Sequence, residues 1–437
     1  MQPNPNQPPP RAPSDPPSPT NNKKSSHTGQ ATSPRRHNDQ DKYATARFED
    51  IVGEIYSLCK DQYGCRYLQR KLEEQQPDQR DAIFKEVYPH FVEFMTDPFG
   101  NYLCQKLMEY CTDAQRTMLV EQVSQDIMSI SLNMHGTRAV QKMIEYISLP
   151  SQIGCVVVAL APNVVTLIKD LNGNHVIQRC LHRLSAENKQ FIYNAVSKNC
   201  VEVATHRHGC CVLQRCIDYS AANQKSQLVT EIIQHALTLV QDPFGNYVVQ
   251  YVLDLGEANF SDQLIRRFIG HVSYLSVQKF SSNVMEKCIR VAEPGTRHHL
   301  IEEMTSRPRL EKLLHDSYAN YVVQTALDYA EPKQRAQLVE CIRPILPAIR
   351  NMPYGKRIQS KINRDQKKKP AQPAQMVGWS LPPTAAQPHQ TAMLHSYLPP
   401  WMNTSVAESN MLLSGFPAQA LDASSVPNSH FSVFYNQ

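Results

Sequence analysis

Apolar residues recur along most of this chain at helical spacing. In residues 100–111, Leu103, Cys104, Leu107, Met108 and Cys111 fall on one stripe, and Asn101 and Gln105, four apart, share another face. Asp97-Pro98-Phe99-Gly100 stands just before it, a start signal in which Asp accepts backbone N–H groups and Pro occupies the first helical position without wasting a donor. Segments 79–87, 114–123 and 187–196 read as amphipathic helices of an outer, convex layer.

The unit repeats. Eight times, at intervals of 36 to 38 residues, a helix opens with a small or polar residue, then a planar, basic or small one, two apolar spacers and Gln or Glu. A tiny residue precedes the pair at Gly64, Gly100, Gly136, Gly173, Gly209, Gly245, Ser281 and Ala319, which implies close approach of backbone from a neighbouring helix or a bound chain. Units of this kind bury their apolar faces only by stacking, so the ends need caps. The segments 44–58 and 354–358 are expected to provide them.

The resulting expectation is an all-α, crescent-shaped α-solenoid over residues 43–362, flanked by tails 1–42 and 363–437 whose Pro, Ser, Asn and Gln content lacks apolar periodicity and predicts disorder. Two tail features stand out, Lys367-Lys368-Lys369 as a charged linker and Phe431 to Tyr435 as a short docking segment. No stretch reads as 18 uncharged apolar residues, so no membrane span is expected. Twelve cysteines without a CxxC pair or a secretory leader predict reduced thiols in an intracellular protein. A net charge of +5 is too small for binding driven by bulk charge, so any nucleic-acid site must arise from local arrangement.

That arrangement is three columns. The first is Cys65, Asn101, Thr137, Asn174, Cys210, Asn246, Ser282 and Asn320; the third is Gln69, Gln105, Gln141, Gln178, Gln214, Gln250, Glu286 and Gln324. Between them run Arg66, Tyr102, Arg138, His175, Cys211, Tyr247, Asn283 and Tyr321, mostly planar groups on which an unstacked base can lie. Basic residues follow the third column at Arg70, Lys106, Lys142, Arg179, Arg215 and Lys287, and as a column they make a candidate phosphate track. Gln taken alone is a solvated helix former, but here it travels with a small polar partner and a planar neighbour.

These motifs, above all residues 97–102 and the Ser281-Ser282-Asn283-Val284-Met285-Glu286-Lys287 run, resemble the Pumilio (PUF) family of single-stranded RNA-binding proteins across all eight repeats and both caps. The resemblance implies one base per repeat, read on its Watson–Crick edge by the first and third columns, with RNA antiparallel to protein. Donor and acceptor counting agrees. An ionised Glu286 is acceptor-only and suits the two adjacent donors of guanine; Asn with Gln suits uracil; Cys or Thr with Gln leaves room for adenine. The predicted site is 5′-UGUAUAUA-3′, with repeats three, four and five the loosest readers.

The resemblance further implies a cytoplasmic, monomeric regulator of messenger RNA 3′ untranslated regions that lowers translation or stability through deadenylase and repressor proteins. No GxxxxGK[ST], GxSxG or HExxH motif occurs, so no enzyme and no cofactor is expected. His206, His208, Cys210 and Cys211 look metal-like, yet they align with Asp97 to Tyr102 of the second repeat. The rival reading is a protein-binding scaffold of armadillo or HEAT type, which has the architecture without the polar columns.

Overall fold

A computed structural model describes Tyr43 and residues 46–363, and both predicted tails lie outside the described residues apart from Asn363, which ends the last helix. Among the described residues there are helices and turns but no strand. Each repeat has three helices rather than two. In the second these are a short helix Phe91–Thr96, a reading helix Gly100–Tyr110 that carries the three columns, and an outer helix Asp113–Ser124.

The reading helices run Gln62–Glu73, Gly100–Tyr110, Gly136–Tyr146, Gly173–Arg183, Gly209–Asp218, Gly245–Asp254, Ser281–Val291 and Ala319–Tyr329, and each packs on the next. The terminal helix Gly355–Asn363 closes the row against Ala319–Tyr329. The expected outer segments are helices Pro77–Val87, Asp113–Ser124 and Gln190–Lys198, the last starting later than its apolar pattern implied. One apolar core runs the length of the array, as nearest-neighbour stacking requires.

Three local devices explain why these residues form these elements. An acceptor side chain opens six of the eight reading helices: Asp97 Oδ1 accepts from the N–H groups of Phe99 and Gly100, both at 2.8 Å, and Asp61, Asn133, Asp170, Asp242 and Asp316 do the same. Pro98 therefore sits in the capped turn, and the α-helix proper starts at Gly100. At the other end a cation from the outer helix caps the reading helix: Arg116 donates to the carbonyls of Met108 and Cys111, Arg297 to those of Ile289 and Ala292, and Lys189 to Leu181.

The third device is the tiny residue. A Cβ built at Gly136 would lie 2.4 Å from the carbonyl oxygen of Ile130, and one at Gly209 2.1 Å from that of Val203. The close neighbour is thus the end of the repeat's own short helix, not a bound chain. Ser281 turns the same approach into a hydrogen bond, its Oγ donating to Leu275 O at 2.6 Å.

Two expectations change. The N-terminal cap is shorter than 44–58, because Ile55–Cys59 is the short helix of repeat one; before it Phe48 and Ile51 are buried, and Tyr43 and Ala46 pack partly buried against the core. And Pro150–Lys169, at mean hydropathy 1.8, is long and apolar enough to cross a membrane by length and composition. It is broken in the fold into outer helix Pro150–Leu160, a turn at Ala161–Asn163 and short helix Val164–Lys169, with Val156, Leu160, Val164, Leu167 and Ile168 buried in the array.

Candidate nucleic-acid interface

Equivalent positions of stacked reading helices bring the three columns together. The first column lies at the floor rather than in solvent: all eight of its residues are buried. The reason is local bonding. Asn101 Nδ2 donates to the carbonyls of Asp97 and Pro98 at 2.8 and 3.0 Å, filling both its hydrogens within the capped turn. Asn174, Asn246 and Asn320 repeat this geometry. Two of the small readers reach the next repeat instead, Thr137 Oγ1 donating to Asn172 O at 2.9 Å and Cys65 Sγ to Phe99 O at 3.1 Å, while Cys210 and Ser282 turn to carbonyls of their own turns at Arg207 and Lys279.

The third column leans on the first. Gln105 Nε2 donates to Asn101 Oδ1 at 3.0 Å, with the same bond in Gln178–Asn174, Gln250–Asn246 and Gln324–Asn320. Gln141 Nε2 meets the carbonyl and Oγ1 of Thr137, and Gln69 Nε2 the carbonyl and Sγ of Cys65. Gln214 is buried beside Cys210. Glu286 carries a carboxylate at the equivalent place, held by Arg290 and by Thr325 of repeat eight.

The middle column stands proudest. Tyr102 and Tyr321 are 55% and 44% exposed, Arg66 and Asn283 are exposed, and Arg138, His175, Cys211 and Tyr247 are half-buried. Flat faces over an amide floor suit unpaired bases. Cys211 offers only a thiol, 3.9 Å from that of Cys210, and this neighbour together with burial pushes Cys210 up from its ordinary range. Burial likewise pushes Cys65 up to about 11, and all twelve cysteines are free.

The basic column is not a bare phosphate track. Lys106 pairs with Glu73 at 2.6 Å, Arg179 with Glu145 at 2.9 Å, and Lys287 with Asp254, each joining one repeat to the one before it. Lys142 and Arg215 pair within their own helices, with Glu145 and Asp218. Sequence spacing concealed this ladder because each contact spans 33 or 34 positions; the signal was an acidic residue near the end of six of the eight reading helices. In the metal-like cluster, His206 occupies the capping position, its Nδ1 accepting from His208 N–H at 3.3 Å. Among the described residues, ligand atoms within 4.8 Å of one another occur instead at His298, His299 and Glu302, on the outer helix of repeat seven.

The model of the Pumilio-family RNA binding repeat matches eight times, at residues 54–88, 90–124, 126–158, 163–197, 199–233, 235–267, 271–305 and 312–343. The chain belongs to the Pumilio family. A Pumilio domain-containing protein of Schizosaccharomyces pombe is 48% identical over 310 residues, covering 71% of this chain and 46% of that protein. Pumilio homology domain family member 4 of Saccharomyces cerevisiae is 43% identical over 345 residues, covering 76% and 38%. The chain thus spans less than half the length of these curated relatives.

Among solved structures, the Puf4 RNA binding domain bound to the HO endonuclease RNA 3′ UTR recognition sequence has 45% identity and a TM-score of 0.63, covering 71% of this chain and 99% of that one. The RNA-binding domain of yeast Puf5p bound to AAT2 RNA has 32% identity and a TM-score of 0.67, covering 75% and 100%. The array of this chain is therefore an α-solenoid of eight Pumilio repeats, each with one short, one reading and one outer helix.

Proposed function

We propose that this chain reads single-stranded UGUA-type elements in messenger RNA 3′ untranslated regions, with UGUAUAUA as its preferred site, and that it lowers translation or stability of the messages it selects. The observation that carries this reading is the paired floor: eight pairs of first- and third-column side chains stand in register on consecutive reading helices, six of them hydrogen-bonded to each other, each pair small enough to meet one base edge. With both Asn Nδ2 hydrogens used in the turn, the edge offered to uracil is the Gln amide, whose Oε1 accepts from N3–H and whose second Nε2 hydrogen donates to a carbonyl. The same amide meets adenine N1 and N6. Discrimination then falls to the neighbour, since Asn fills the space that Cys or Thr leaves for a purine.

Arg66, Tyr102, Arg138, His175, Tyr247, Asn283 and Tyr321 would stack between successive bases. The cellular setting that fits is a cytoplasmic monomer working through deadenylase and repressor proteins, and RNA selection rather than catalysis is the activity. Fluorescence anisotropy with UGUAUAUA RNA against a strand carrying ACA in place of UGU tests the core of it. Strong preference for the first is expected; equal affinities would remove sequence-specific recognition, and absence of binding would favour the protein-binding scaffold.

A further inference from the structure

One break in the inter-repeat ladder falls where the reader column changes character. Counting from the tiny residue that opens each reading helix, the tenth residue is acidic at Glu73, Glu109, Glu145, Asp218, Asp254 and Asp328, but it is His182 in repeat four and Arg290, a full cation, in repeat seven. The position after the reader, basic in six of the eight repeats, is Tyr251 in repeat six, where it still bonds Asp218 of the repeat before, and Thr325 in repeat eight. Elsewhere these two positions face each other across the repeat boundary, as in Lys106 with Glu73 and Lys287 with Asp254. A base at 325 would meet Arg290 as a like charge, which the hydroxyl avoids.

Of these departures, Arg290 and Thr325 converge on the one reader that is itself exceptional. Arg290 Nη2 donates to Glu286 Oε2 at 2.8 Å, and Thr325 Oγ1 donates to the same oxygen at 2.9 Å. The Glu286 side chain is 18% exposed and Thr325 is 7% exposed, so the carboxylate and the hydroxyl lie in the groove floor while Arg290, 46% exposed, reaches them from its rim. We infer that Arg290 and Thr325 are positioning residues that set the plane of the Glu286 carboxylate for a base edge with two adjacent donors. This rests on the proposed reading of repeat seven and deepens it.

A carboxylate on a long side chain turns freely, and a two-donor edge needs an acceptor oxygen held in the plane of the base. Gripping Oε2 from two different repeats occupies both of its lone-pair sites and fixes that plane, leaving the two sites of Oε1 for the two donors of the base. An edge that presents an acceptor then meets a carboxylate unable to turn aside, which adds rejection to attraction.

The test measures binding of UGUAUAUA and UAUAUAUA to the full chain by anisotropy. Arg290→Ala with Thr325→Val is expected to lower the preference for G over A at the second base by about fivefold or more. Arg290→Lys and Thr325→Ser, which keep a donor, should retain most of it. Preference at the seventh base, read by repeat two five repeats away from the cluster, should not change. An unchanged second-base ratio, or an equal loss on both RNAs that marks Arg290 as a backbone contact, would overturn the inference. Ser282→Asn with Glu286→Gln runs in parallel: if that swap leaves the second-base preference at G, the column reading itself fails and the inference with it, whereas a swap to U with no effect of the Arg290 and Thr325 variants removes the positioning role alone.

Discussion

Gln105 Nε2 donates to Asn101 Oδ1 at 3.0 Å while Asn101 Nδ2 is tied to the carbonyls of Asp97 and Pro98, so the reader pair of repeat two is braced on the turn that starts its helix. Recognition and folding share one side chain. Asn101→Cys, which installs the small reader of repeats one and five, is expected to shift preference at the seventh base from U to A by about tenfold. It should also lower stability by about 1–2 kcal/mol through the lost turn bonds. Anisotropy with the two RNAs and a thermal melt check both; retained U preference would separate Asn101 from readout.

The tiny residues give a test of packing by sign. Ala ordinarily stabilises an exposed helical position over Gly by about 0.5–1 kcal/mol. Gly154, in the outer helix Pro150–Leu160, has nothing within 4 Å of a built Cβ, and Gly154→Ala should follow that rule. Gly136→Ala should reverse it, because the Cβ meets Ile130 O at 2.4 Å and the short helix must move. A loss of about 1–3 kcal/mol in denaturant midpoint is expected.

Repeat five carries a weaker start than its neighbours. His206 accepts one long N–H bond where Asp97 accepts two, and a protonated Nδ1 could accept none. Burial, then Lys169 and Arg207, hold the His206 pKa below its ordinary value of 6.5, and burial and Arg207 do the same to His208. The unfolded chain therefore binds protons first, so stability is full above pH of about 6.5 and declines as pH falls below it. His206→Asp should raise the melting temperature at neutral pH, by a capping gain of about 1 kcal/mol, and flatten the acid side of the profile. An unchanged profile would place the acid sensitivity elsewhere.

Cys211 stands where repeats two, six and eight carry tyrosine. Cys211→Tyr is expected to tighten binding of UGUAUAUA by up to about tenfold through a restored stacking face. Equal affinity of variant and parent would show that the fourth base does not stack there.

What the chain's order of residues determined by itself was everything periodic: the eight units, the reading and outer helices, the three columns and the family they resemble. Those follow from spacing within one helix, where i and i+4 lie on one face whatever surrounds them. Tertiary structure decided what each polar group is bonded to. It buried the first column, made the glycines seats for their own short helices, spent the basic column on a ladder of ion pairs, and brought Thr325 to Glu286 across 39 positions. These contacts depend on how far one repeat is displaced against the next, a quantity set by side-chain packing along the whole core and carried by no local pattern.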